Sequence, residues 1–70
     1  MHGIFTYRIE VQGKVDEKVL NANSPLKMIV SRAEGTSTVV SIHTDQSGLI
    51  GLMRHLHGQG FVFRSLNREG

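Results

Sequence analysis

Thr44-Asp45-Gln46-Ser47-Gly48-Leu49-Ile50-Gly51-Leu52-Met53-Arg54-His55-Leu56-His57-Gly58-Gln59-Gly60-Phe61-Val62-Phe63 reads as one capped amphipathic helix, closed by glycine and returning into an apolar strand. Asp45 or Thr44 supplies the cap, because a short side-chain oxygen there accepts from an orphan backbone N–H of the first turn. Leu49, Ile50, Leu52, Met53 and Leu56 recur at helical spacing and form the apolar stripe. Gly48 and Gly51 lie on or beside it. Each costs roughly 1 kcal/mol of helix propensity, tolerable where the helix must approach a sheet closely. Gly58 is read as the residue just past the helix end. The spacing thus predicts a helix over Gln46–His57. About 12 helical residues span roughly 18 Å, the length of a five- or six-residue strand, so strands are expected on both sides.

Upstream, Phe5-Thr6-Tyr7-Arg8-Ile9-Glu10-Val11-Gln12 alternates apolar and polar residues without a miss. That is a half-buried strand with Phe5, Tyr7, Ile9 and Val11 facing the core. Residues 14–23 hold Val15, Val19 and Leu20 at helical spacing before Asn21, Asn23 and Pro25, so the first helix is expected to be short or absent. Leu26–Arg32 and Thr38–His43 read as two strands of a hairpin turning at Glu34-Gly35, and Phe61–Leu66 as the last strand. Residues 67–70 are expected to fray. The β(α)ββαβ order is that of an α+β, ferredoxin-like sandwich: a four-stranded antiparallel sheet with one principal helix on one face and the other face open. Residues 1–70 are read as a single domain.

Laid out in this way, the chain resembles a group of small, uncharacterised bacterial proteins. They share a Tyr-x-Ile-x-Val-x-Gly strand (here Tyr7, Ile9, Val11, Gly13), a Gly-Thr turn (Gly35, Thr36), and a helix opening Asp-Gln and containing Leu-x-Gly-Leu (Asp45, Gln46, Leu49, Gly51, Leu52). Gly60 matches the glycine before their last strand. The resemblance runs from Tyr7 to about Leu66 and departs at residues 14–25, where the group has a Trp- and Phe-rich segment. It implies a fold and no activity.

Composition narrows the function classes. Seventy residues give a thin core, and there is no cysteine for a disulfide or thiolate site. Chains of this kind often complete their core by oligomerising. Net charge is +2, with eight Lys/Arg scattered among six Asp/Glu, so no basic arm of the nucleic-acid type is present. No apolar run reaches the length of a membrane span, and Met1-His2-Gly3 leads into a strand without a signal-like segment. A cytoplasmic protein without a membrane segment is expected.

Chemistry is sparse. His55 and His57 are two apart, so on a helix they diverge by about 200° and cannot chelate one ion. His43 ends a strand and His2 sits near the terminus, so no metal site is expected. Asp45 and Gln46 read as capping rather than as a ligand clamp, since the Asp45 charge would repel a phosphate at the helix N-terminus. No spacing marks a nucleophile, and Val11-Gln12-Gly13-Lys14-Val15 lacks the arginine of an acylphosphatase loop. A non-enzyme with no cofactor is expected.

What remains is association. An interaction module, pairing with itself as a homodimer or with another protein, would bury Ile29 and Val39 on the open face, with Phe61 and Phe63 added as a further apolar patch. The alternative is a weak single-stranded nucleic-acid binder. Arg8, His43 and Arg64 would be its contacts, and Ile4, Thr6, Arg8, Glu10, Val39, Ser41 and His43 its open-face positions.

Overall fold

The computed structural model describes residues 3–69, so His2 and Gly70 lie outside the described residues. The alternation in the first strand, β1 (Phe5–Gln12), does as its period demands: Tyr7, Ile9 and Val11 are buried. A short helix, α1 (Glu17–Asn21), follows, then β2 (Ile29–Glu34), β3 (Ser37–Thr44), a longer helix, α2 (Gln46–Gly58), and β4 (Phe63–Glu69). Every neighbouring pair is antiparallel and the strand order is β2-β3-β1-β4. The fold is therefore α+β, with a four-stranded antiparallel sheet and two helices.

Tyr7, Ile9 and Val11 from β1, Val40 and Ile42 from β3, and Leu49, Leu52 and Leu56 from α2 form one cluster with Leu20 and Met28. Asp45 is the cap of α2: its carboxylate accepts from the Gly48 N–H at 2.7 Å. At the other end the glycine expectation shifts by two residues. Gly58 is still helical, and Gly60, at φ +92°, is the left-handed residue. Gly60 N–H donates to the His57 carbonyl and Phe61 N–H to the Leu56 carbonyl, the paired bonds of a Schellman motif. That motif brings Phe61 back against the end of the helix.

Three further expectations need correction. Phe61 and Phe63 pack against the core cluster and so do not share a face with Ile29 and Val39. The Schellman return fixes the first, and the pairing of Phe63 with core-facing Val11 fixes the second. Residues 67–69 are not frayed. They continue β4, pairing Asn67 with Arg8, Arg68 with Tyr7 and Glu69 with Thr6. Finally, β2 begins at Ile29 rather than Leu26 and runs to Glu34, because the hairpin closes through Gly35-Thr36 with Glu34 opposite Ser37. Gly35 takes φ +60° at the first central position, where a tight hairpin of the II′ kind requires glycine.

The helix of residues 17–21 is one turn and a half. Asp16 caps it by accepting from Lys18 N–H at 2.7 Å. Leu20 is its sole buried residue, and Val19, grouped with Val15 and Leu20 by spacing, is exposed. Because Leu20 joins the same cluster as α2, both helices lie on one side of the sheet and the other face has no helix over it.

Candidate protein-interaction face

Cross-strand register assigns the uncovered face residue by residue, because paired residues in an antiparallel sheet point the same way. One row across the sheet reads Asn67, Arg8, Ser41, Ile29, and the next reads Ser65, Glu10, Val39, Arg32. At the end nearest α2, Glu69, Thr6 and His43 make a third row. Glu34 and Ser37 extend the far end with Gln12. Thus Ile29, Val39, Arg8 and His43 do lie together. Ser41 sits opposite Ile29 and two residues along from Val39. Arg64 does not join the rows, for it falls at the bulge where β4 changes register against Glu10 and Val11.

The polar groups on this face are largely occupied with each other. Arg8 Nη2 is 2.7 Å from the Glu69 carboxylate. Arg32 Nε lies 3.4 Å from Glu34 on the same strand. Ser65 donates to Glu10 at 3.3 Å, the Ser31 and Ser41 hydroxyls are 2.7 Å apart, and Thr6 Oγ1 meets His43 Nδ1 at 3.1 Å. Ile29 stands among them 56% exposed. The face therefore sets exposed Ile29 on the edge strand β2 and half-buried Val39 on the neighbouring β3, beside two ion pairs and a Glu10 carboxylate held only by Ser65. Counted over its rows, it holds the carboxylates of Glu10, Glu34 and Glu69 against the guanidiniums of Arg8 and Arg32.

The two sheet edges differ. Asn21 bonds Met28 through both its amide oxygen (2.7 Å from Met28 N) and its amide nitrogen (2.9 Å to Met28 O). Glu17 accepts from Val30 N–H at 2.8 Å. Two side chains of α1 thus occupy the outer edge of β2 in place of a fifth strand. Among the described residues no side chain hydrogen-bonds the backbone of the outer edge of β4, whose residues after Phe63 are all exposed.

Sequence reading missed Glu69, Asn67, Ser65 and Arg32 on this face. The available signal was the alternation past Leu66: Asn67 and Glu69 fall on the polar side, and Arg68 continues the core side with its long apolar stem. Among the described residues no group of three or more His, Cys, Asp or Glu is placed to hold a metal ion. No described helix is long and apolar enough to cross a membrane. No protein-family model, curated protein or solved structure matches the chain.

Proposed function

We propose that the chain is a ferredoxin-like, non-catalytic interaction module that pairs with a second copy of itself through the uncovered sheet face. The strand order β2-β3-β1-β4 and the βαββαβ element order support the fold reading. The observation that carries the function is exposed Ile29, with half-buried Val39 on the neighbouring strand, on a face where Arg8 and Arg32 are already paired with carboxylates of the same protomer. Burying such a face removes apolar surface from water without stranding a lone guanidinium, the costly event at an interface, and leaves Glu10, bonded to Ser65, as the carboxylate to be kept at the rim. The resemblance to small bacterial proteins adds no activity, and the reading sets the protein in the cytoplasm, where a cysteine-free chain is at no disadvantage.

Magnitude sets the expected strength. Four strands about 4.8 Å apart and about seven residues long present on the order of 500 Å² per copy. Stable interfaces bury roughly 800 Å² per partner, so a weak, concentration-dependent dimer follows. Sedimentation equilibrium across a hundredfold concentration range is the test. A monomer–dimer equilibrium abolished by Ile29→Asp and insensitive to salt supports the reading. A monomer at every concentration sinks it.

The nucleic-acid alternative has less support, since Arg8 is paired with Glu69 and carboxylates outnumber guanidiniums on the face. Steep weakening of oligonucleotide binding with salt would revive it. The β4 edge gives a second route to self-association, favoured by its contrast with the occupied edge of β2. A dimer that survives Ile29→Asp would point there.

A further inference from the structure

We propose that the groove between β4 and the first turn of α2 binds a small monocarboxylate with an apolar body. The groove lies on the helix-covered side of the sheet, so it is separate from the self-association face and stands or falls independently of it. Phe5, Tyr7, Gln46, Leu49, Leu66 and Arg68 line a space of about 640 Å³, within the usual range of small-ligand sites.

Three observations select the ligand. Tyr7 is only 7% exposed, and its hydroxyl has no hydrogen-bond partner among the described residues. That hydroxyl is also not sealed from solvent, since among the described residues His55 Nε2 is the one fully buried side-chain polar atom left without a partner. Tyr7 lines the groove, so a largely buried ring brings to its wall a hydroxyl that no described residue engages, with the Gln46 amide as a further polar group there. Second, Arg68 stacks on the Phe5 ring at 4.4 Å from its centroid and has no carboxylate within ion-pair distance among the described residues. Stacking holds the guanidinium plane while leaving its N–H rim available, the geometry that suits a planar carboxylate. Third, Leu66 is 43% exposed in the wall beside Leu49, an apolar surface that an alkyl or aryl body would cover. Asp45, capping the same turn of α2, adds a negative charge that disfavours a dianion such as phosphate and leaves a monoanion acceptable.

Tyr7 is the only tyrosine and there is no tryptophan, so intrinsic emission reports on this groove alone. Octanoate titrated into the full chain should change Tyr7 emission saturably below about 10 mM. Arg68→Met should weaken binding about tenfold, consistent with loss of a charge-assisted bidentate contact. Tyr7→Phe, followed through the amide resonances of Gln46 and Leu49, should weaken it severalfold. Glu69→Gln, on the opposite face, should leave it unchanged. A response that fails to saturate, an equal response to 1-octanol, tighter binding of inorganic phosphate, or a folded Arg68→Met that binds like the wild type would each overturn the proposal.

Discussion

The side-chain amide of Asn21 stands in for a neighbouring strand, accepting from Met28 N–H at 2.7 Å and donating to Met28 C=O at 2.9 Å. A strand edge exposes alternating pairs of backbone groups that would otherwise pair with another chain. Here one such pair is filled by a primary amide, which has the same donor–acceptor geometry as a peptide. Glu17 fills the next outward position, at Val30.

Asn21→Ala should therefore do two things. It leaves Met28 N–H and C=O without their partner, at a cost of about 1–2 kcal/mol. It also reopens the edge of β2 to intermolecular pairing. Urea denaturation should show the lowered midpoint, and light scattering on mild heating should show earlier aggregation than in the wild type. An unchanged midpoint would mean that water replaces the amide without loss.

The two glycines of α2 have opposite environments, and that contrast is testable. A Cβ on Gly48 would overlap Thr44 Oγ1 and lie 3.2 Å from the Asp45 carboxylate, so a side chain there forces Thr44 or the start of the helix to shift. A Cβ on Gly51 meets nothing within 4 Å. Gly48→Ala should destabilise by about 1–3 kcal/mol, the usual cost of overpacking. Gly51→Ala should stabilise by about 1 kcal/mol, the propensity difference between the residues in a helix interior. Thermal melts of the two variants should move in opposite directions. Parallel shifts would show that the close approach at Thr44 is not what Gly48 is for.

Those glycines also mark how far the chain could be read before its structure. Period-two alternation places the core face of β1, helical spacing places Leu49, Leu52, Met53 and Leu56, and a short polar side chain ahead of them places the Asp45 cap. Ile50, expected in the same stripe, is 48% exposed because it falls at the margin of the apolar arc. Gly48 and Gly51 look alike in sequence, yet only Gly48 touches the end of β3, and that difference belongs to the docking of α2. The same limit hid residues 67–69. They contain no β-branched residue, and their strand state comes from the exposed partners that β1 offers, with Arg8 meeting Glu69. Phe61 and Phe63 shared a face with nothing identifiable until the Schellman turn fixed their direction.

Thr38 is wholly buried, yet its hydroxyl has no unmet demand. It accepts from Val15 N–H at 2.9 Å and donates to the Gly13 carbonyl at 2.7 Å, pinning the segment that leaves β1 to the middle of the sheet. Thr38→Val is nearly isosteric and removes both bonds, so a loss of about 2–3 kcal/mol is expected. Thr38→Ser keeps the hydroxyl and loses a buried methyl, at about 1 kcal/mol. Denaturant midpoints should rank wild type above Ser above Val. If Val equals or exceeds Ser, the methyl packing rather than the hydroxyl holds this segment.

His55 presents the reverse case, a buried ring nitrogen for which the described residues supply no partner. Its Nε2 is shielded from solvent on α2, between the core positions Leu52 and Leu56 in sequence. A polar atom desolvated without a hydrogen bond costs about 1–3 kcal/mol, whereas an apolar side chain of similar reach bears no such cost. His55→Leu also raises helix propensity slightly. The variant should therefore gain about 1 kcal/mol in urea denaturation at a pH where the imidazole is neutral. Since His55 belongs to neither the uncovered sheet face nor the groove at Tyr7, dimerisation and ligand binding should be untouched. A stability loss in His55→Leu would instead show that the ring's packing outweighs its orphan nitrogen.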